Sequence, residues 1–531
     1  MAETLQQLLR ERADDDTVGL KYGDQSWSWR EHIAEASAQA AALISAADPD
    51  RPMHVGALLG NTPDMLRALA AAGLGGFTLC GINTTRRGPA LARDILRVDT
   101  QILLVNPEHR ALIEGLDLPG VRVIDVSTPE WAKEVAAAPP LTPHRESAPD
   151  DTFMMIFTSG TSGEPKAVQV PHAVVLIAGM ALVAKYEVST DDVGYLSMPL
   201  FHSNAVYAGW AVTLVSGAAM VPAKFSASRF LDDVRKYGVT YMNYVGKPLA
   251  YILATPAQSD DHHNPLRVAF GNEASDRDID EFARRFDCSV WDGFGSTENA
   301  IIVIREEGCP PGSIGRGYPG VAIYHPDTVQ ECDVAEFDDA GALLNADAAV
   351  GELVNTTGSG LFRGYYNDPS ATDERIKHGM YWSGDLAYRD ADGWIYFAGR
   401  STDWLRVDGE NMATAPIERV LVQFPAVSRA VVYAVPDELV GDQVMAAVVL
   451  RDGAEFDAGE FEKFLAAHEE MIPKAWPRYV WVTEELPTTA TNKILKRELV
   501  ARGLDVAGGV MWKRDGTAYQ LTELSTPKPA E

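Results

Sequence analysis

The run Thr158-Ser159-Gly160-Thr161-Ser162-Gly163-Glu164-Pro165-Lys166 gathers four hydroxyls, two glycines and a lysine directly behind the apolar stretch Phe153-Met154-Met155-Ile156-Phe157. That order predicts a strand running into a hydroxyl-rich loop with an ammonium at its far end. Backbone N–H groups, hydroxyls and one cation aimed together suit a polyphosphate. The loop is not of the G-x-x-x-x-G-K-[ST] type, because Gly160 and Gly163 stand too close and no hydroxyl follows Lys166. A cluster of serine, threonine and glycine is by itself an ordinary flexible loop, so its chemistry depends on what else the chain carries.

Four other groupings carry it. Asp292-Gly293-Phe294-Gly295-Ser296-Thr297-Glu298 follows the strand pattern Cys288–Trp291, and its glycines let a flat group approach the backbone closely. Glu298, a hard carboxylate, suits a hard cation such as Mg²⁺; its bland alternative is a solvent-facing glutamate on a tight turn. Tyr381-Trp382-Ser383-Gly384-Asp385 is followed by Gly399-Arg400, and an Asp after Gly is otherwise a turn residue. Gly399–Glu418 runs from Gly-Arg-Ser-Thr-Asp403 to Val-Asp-Gly409-Glu410-Asn411. Pro487–Leu499 holds Lys493 and Lys496, either of which would by default be a surface lysine.

The elements that must position these groups read as α/β. Strand patterns at Met53–Leu59, Gln101–Val105, Val121–Val126, Val239–Val245, Leu266–Phe270 and Cys288–Asp292 alternate with helical ones at Trp29–Ile44 and from Met65. This points to α/β layers around a largely parallel sheet. Ser313–Phe397 has short strands broken by Gly, Asp and Pro, which predicts a β-rich subdomain. Beyond it come strands at Val427–Val435 and Gln443–Val449 and an amphipathic helix at Phe456–His468. Ala205–Val221 is almost wholly apolar, but Gly209, Trp210, Thr213, Ser216 and Gly217 interrupt it, so a buried helix and a core strand are expected rather than a membrane span.

The chain has 531 residues, too many for one core, and a net charge of −29, which argues against general nucleic-acid binding and against an anionic membrane surface. Four scattered cysteines form no C-x-x-C pair, so neither a zinc site nor a disulfide framework is indicated. The first residues lack the basic start and apolar stretch of a signal peptide. A cytoplasmic protein without an integral membrane segment is expected.

Taken in order, these motifs resemble the adenylate-forming superfamily of acyl-CoA synthetases, luciferases and adenylation domains, over nearly the whole chain. The resemblance implies a large domain, 1–402, of α/β layers plus a β-rich subdomain, and a small mobile α+β domain, 403–531, hinged at Asp403. It implies that Thr158, Ser159, Gly160, Thr161, Ser162, Gly163 and Lys166 grip the ATP phosphates. Gly271, Asn272 and Glu273, with Asp292, Gly293, Phe294, Gly295, Ser296 and Thr297, would line the adenine and acyl side. Asp385 would take the ribose hydroxyls beside Arg400, and Glu298 would hold Mg²⁺. Lys493 would be the catalytic lysine, although Asn492 stands where the commonest pattern has Gly, which leaves Lys496 as the alternative. Gly409 and Glu410 would enter the site beside the CoA thiol. His202, in Phe201-His202-Ser203-Asn204, falls at the aromatic gate, where amino-acid-activating relatives carry an Asp; a satisfied core histidine is the alternative there.

Three segments, Phe225–Phe230, Gly409–Thr414 and Val510–Leu521, resemble the very-long-chain acyl-CoA synthetase and fatty-acid-transport-protein branch. The implied reaction joins a carboxylic acid, a long-chain fatty acid or a bulky polycyclic acid, to CoA through acyl-AMP. ATP, Mg²⁺ and CoA are the implied cofactors, and a homodimer is allowed. Two alternatives stand beside it: an acyl-AMP ligase that loads a carrier protein, and a nucleotide-binding regulatory module without turnover.

Overall fold

The computed structural model describes residues 2–158, 165–338, 343–400, 404–407, 410–437, 441–468, 471, 473–488, 494–506 and 508–522. The chain forms two compact units, Met1–Ala300 with Ser359–Ile376, and Ile301–Gly358 with Lys377–Glu531. Residue 403, the expected domain boundary, falls within the second unit and outside the described residues.

The first unit holds two sheets. One runs Arg122–Asp125, Ile102–Val105, His54–Leu58, Thr78–Gly81, Thr152–Thr158, Lys166–Pro171, parallel except for the last, antiparallel pair. The other runs Ser289–Gly295, Val268–Asn272, Tyr241–Val245, Val193–Leu196, Ala219–Pro222, Val18–Tyr22, Gln25–Ser28, again parallel until the final pair. Parallel strands are covered on both faces, which is why these segments read as apolar runs rather than alternations. Helix Trp29–Ala46 starts where Ser28 and Glu31 form a reciprocal capping box. Phe230, Phe282 and Phe286 pack with Tyr195 and Tyr244 against the second sheet.

Ala205–Val221 turns out as expected. A helix runs through Ser216, Gly217 ends it at φ 79°, and the strand Ala219–Pro222 follows. Gly217 serves because the left-handed turn has no room for a Cβ without strain. Among the described residues no helix is long and apolar enough to cross a membrane.

The second unit holds Gln330–Glu331, Val321–His325, Gly351–Asn355, Met380–Arg389 and Ile395–Arg400 in one antiparallel sheet. Its other sheet centres on the hairpin Val427–Asp437 and Gly441–Leu450, extended through Tyr479–Thr483 to the terminal hairpin Val510–Asp515 and Ala518–Thr522. Helix Ala458–Ala467 seats Phe461 and Leu465 in this sheet's core.

Two histidines of the first unit, His32 and His172, are each 1% exposed, and burial pushes their imidazoles down to about 3 and about 4. Below the ordinary value of 6.5 the unfolded chain takes up these protons and the folded chain does not, so stability must fall with pH from there down to the folded values. At about 1.4 kcal/mol per unit, His32 alone withdraws on the order of 2 kcal/mol by about pH 5. Urea unfolding between those two pH values should show this slope, and His32→Leu should reduce it by the His32 share while His172 keeps the rest. An unchanged slope would mean that His32 is not a buried neutral imidazole.

Candidate functional site

The loop expected to hold phosphate joins the two strands of a hairpin. Thr152–Thr158 and Lys166–Pro171 pair antiparallel, with Thr158 opposite Lys166, so the two ends of the loop are pinned in one register position. Ser159, Gly160, Thr161, Ser162 and Gly163 lie outside the described residues. Lys166 is 7% exposed; its Nζ sits 5.2 Å from the Tyr365 ring centroid and 3.7 Å from Oε2 of the exposed Glu374.

Glu298 is only 9% exposed and accepts a hydrogen bond of 2.8 Å from the Tyr365 hydroxyl, which excludes the solvent-facing turn residue. Burial first, and then the charge of Glu298, raise the phenol pKa of both Tyr365 and Tyr207, so both hydroxyls stay protonated as donors. Tyr207 donates to the Thr297 carbonyl at 3.3 Å, and the Thr297 hydroxyl lies 3.0 Å from that of Ser203. The gate segment and the Glu298 turn are thereby tied together.

Behind them runs a chain of amides. Asn243, wholly buried, donates to Asn204 at 2.7 Å, Asn204 donates to Asn272 at 2.9 Å, and Asn272 donates to the Gly293 carbonyl at 2.6 Å. Asp292 accepts from the Tyr244 hydroxyl and from the Ala274 N–H, each at 3.1 Å, and so binds the 271–274 loop to the 292–298 turn. Gly271 must be glycine, since a Cβ there would run into the carbonyl and ring of Tyr244. Gly271, Asn272, Glu273, Asp292, Gly293, Phe294, Gly295, Ser296 and Thr297 thus share one end of neighbouring strands, the carboxyl end where open α/β sheets bind ligands.

His202 opens a helix whose first stretch, Ala205–Trp210, is π-helical, a form that frequently marks functional sites. Its Nε2 is buried without a hydrogen-bond partner, and burial pushes the imidazole down to about 4, so it is neutral at physiological pH. The ring lies 4.6 Å from that of Phe201.

In the second unit Asp385 is 8% exposed and stands directly opposite Arg400 in the antiparallel ladder. Ser383 accepts from its N–H at 3.0 Å, and the preceding Gly384, at φ 76°, donates to Glu352. Asp403, Gly409 and Lys493 lie outside the described residues, as do the side chains of Arg400 and Glu410. Lys496 is described: its Nζ donates to the Thr414 hydroxyl at 2.6 Å and to Glu418 at 3.2 Å. Thr488 pairs with Ile494, and the Leu495 N–H donates to the Pro487 carbonyl at 2.8 Å, closing the chain on either side of 489–493.

Motif reading missed Tyr365, Tyr207 and the amide chain. A buried polar residue needs a partner, so Asn243 inside an apolar strand was a usable signal. Tyr365, in Arg363-Gly364-Tyr365-Tyr366, carried none.

The first unit thus gathers at its strand ends a buried carboxylate, and it carries a nearly buried lysine after a hydroxyl-rich run and a neutral histidine. Residues 8–366 match the family of AMP-binding enzymes, and residues 416–493 match the AMP-binding enzyme C-terminal domain. The chain belongs to the AMP-binding enzyme family. It is 48% identical over 517 residues to the medium/long-chain-fatty-acid–CoA ligase FadD17 of Mycobacterium marinum, covering 96% of this chain and 98% of the relative. To the steroid-22-oyl-CoA synthetase of Rhodococcus jostii it is 44% identical, covering 93% and 90%. Its fold matches that of ATP-bound MatB from Rhodopseudomonas palustris with a TM-score of 0.82 at 22% identity, over 94% of this chain and 99% of that one. The anthranilate CoA ligase AuaEII in complex with anthranoyl-AMP matches equally, with a TM-score of 0.82 at 21% identity, over 94% and 97%. This family member is an adenylate-forming acyl-CoA synthetase, an acid–thiol ligase that uses ATP, Mg²⁺ and CoA.

Proposed function

We propose that this ligase joins a bulky hydrophobic carboxylic acid to CoA, with a long-chain fatty acid as the leading substrate. The observation that carries the chemistry is the buried, oriented carboxylate of Glu298 in the same unit as Lys166 and its loop. Among the described residues no group of three His, Cys, Asp or Glu side chains gathers as a metal cage. A lone carboxylate fits Mg²⁺, which is usually held by one or two carboxylates together with substrate phosphates. Bound there, Mg²⁺ would neutralise phosphate charge.

The protein's own part is positioning. The loop ending at Lys166 grips the leaving pyrophosphate, and His202, uncharged, offers a hydrogen bond rather than a counter-ion to the acid. A neutral imidazole gives an α-ammonium no partner, which favours a simple acid over an amino acid. As the carboxylate attacks the α-phosphate in line, the Lys493 ammonium balances the growing negative charge. Lys496 is already committed to Thr414 and Glu418, which supports Lys493 in that role. A rotation about Asp403 then brings Gly409 and Glu410 to the thiol, and CoA sulfur displaces AMP.

The fatty-acid ligase relatives support a long-chain acid, and the steroid-22-oyl relative supports a polycyclic one. Gly209 adds no room for either, because a Cβ there would meet Asn243 and Leu196; Ala205 and Ala208 are the small residues left in the stretch Ala205–Trp210. We place the enzyme in the cytoplasm, consistent with four free cysteines.

A panel of acids assayed by pyrophosphate and AMP release with CoA alone tests the substrate. Turnover should rise with long-chain or steroid side-chain acids and should need no carrier protein. Preferential turnover of acetate, dicarboxylates or amino acids would overturn the proposal. Lys493→Ala should cut acyl-AMP formation by roughly 10²-fold or more, the scale of one lost charge-stabilising group, and spare CoA transfer to pre-made acyl-AMP. That selective loss in Lys496→Ala instead would exchange the two lysines.

A further inference from the structure

Lys166 and Glu298 are opposite charges, both nearly buried, in one unit, yet they make no ion pair with each other. Each instead contacts a different part of Tyr365. The ammonium lies 5.2 Å from the ring centroid, and the carboxylate accepts a hydrogen bond from the hydroxyl at 2.8 Å. Cations settle over the negative face of an aromatic ring, and a phenol is a neutral donor, so one side chain meets both groups without pairing them with each other; the other charge near Lys166 is the exposed Glu374, at 3.7 Å.

Tyr365 is itself firmly placed. Its backbone bridges Val168, two residues beyond Lys166, in an antiparallel pairing. On either side the Gln169 N–H donates to the Gly364 carbonyl at 3.2 Å and the Tyr366 N–H to the Ala167 carbonyl at 2.8 Å. Its own N–H donates to the Thr372 hydroxyl at 3.0 Å, and Phe362 packs edge-on against its ring at 5.0 Å. The residue is 4% exposed. The edge of the phosphate-loop hairpin therefore carries this tyrosine as rigidly as it carries Lys166.

We propose that Tyr365 is a positioning residue that holds Lys166 and Glu298 in separate, uncancelled states, so that the lysine stays available to the ATP phosphates and the carboxylate to their Mg²⁺. This rests on the assignment of Glu298 to the metal. Losing the hydroxyl frees the carboxylate to turn; losing the ring as well lets the ammonium reach it.

Calorimetric binding of ATP with and without Mg²⁺ to the whole protein, alongside thermal unfolding, tests this without turnover. Wild type should prefer Mg²⁺·ATP to metal-free ATP, and Glu298→Gln should abolish the preference. Tyr365→Phe, which keeps the ring, should shrink it by roughly 10-fold or more, as loss of an outer partner of a metal ligand does, with little change in metal-free ATP affinity or Tm. Tyr365→Leu should also weaken metal-free ATP binding, and adding Glu298→Gln to it should restore that binding by removing the competing carboxylate. A full preference in Tyr365→Phe beside a lost one in Glu298→Gln would make Tyr365 mere packing, as would a fall in Tm alone. A preference that survives Glu298→Gln would instead remove the metal assignment on which the proposal stands.

Discussion

The pairing of Thr158 with Lys166 is the constraint on which the phosphate end depends. A loop rich in glycine and hydroxyls has high conformational entropy, and ordering it around a ligand costs binding energy. Pinning both ends in one register position of a hairpin removes most of the freedom of the chain before any ligand arrives. The same hairpin is the last member of a sheet whose strands His54–Leu58, Thr78–Gly81 and Ile102–Val105 are wholly buried, so its position is set by the core and not by the loop.

A second consequence is electrostatic. The first unit concentrates its functional charge in partly dry surroundings, where charges interact strongly. It controls them with neutral groups: phenols kept protonated by burial, an imidazole pushed down to about 4, and a run of three amides. Neutral donors orient a carboxylate without neutralising it. In a chain of net charge −29, Lys166 is a nearly buried cation set against the Tyr365 ring and the exposed Glu374.

Much of this was legible in the sequence. Apolar β-branched runs gave the parallel strands to within three residues: Val239–Val245 appears as Tyr241–Val245 and Cys288–Asp292 as Ser289–Gly295, while the helix expected at Trp29–Ile44 appears as Trp29–Ala46. The Gly209 to Gly217 interruptions correctly separated Ala205–Val221 from a membrane span, because Gly217 forces the turn. Less legible were residues whose role is set by long-range pairing. Tyr365 stands 67 positions from Glu298, and only the ladder onto Val168 brings them together. The engagement of Lys496 with Thr414, 82 positions away, is equally invisible to motif spacing. Gly209 reads in the sequence only as an interruption of an apolar run; that the space beside it is taken by Asn243 depends on a strand 34 positions away.

The central claim is that adenylation at the Lys166–Glu298 site precedes and does not require the thiol. Acid-dependent exchange of labelled pyrophosphate into ATP, measured without CoA, tests it most directly. The account predicts exchange with a long-chain acid in the wild type, lost in Glu298→Gln although that variant remains folded. Exchange that appears only when CoA is present, or that persists undiminished in Glu298→Gln, would contradict it.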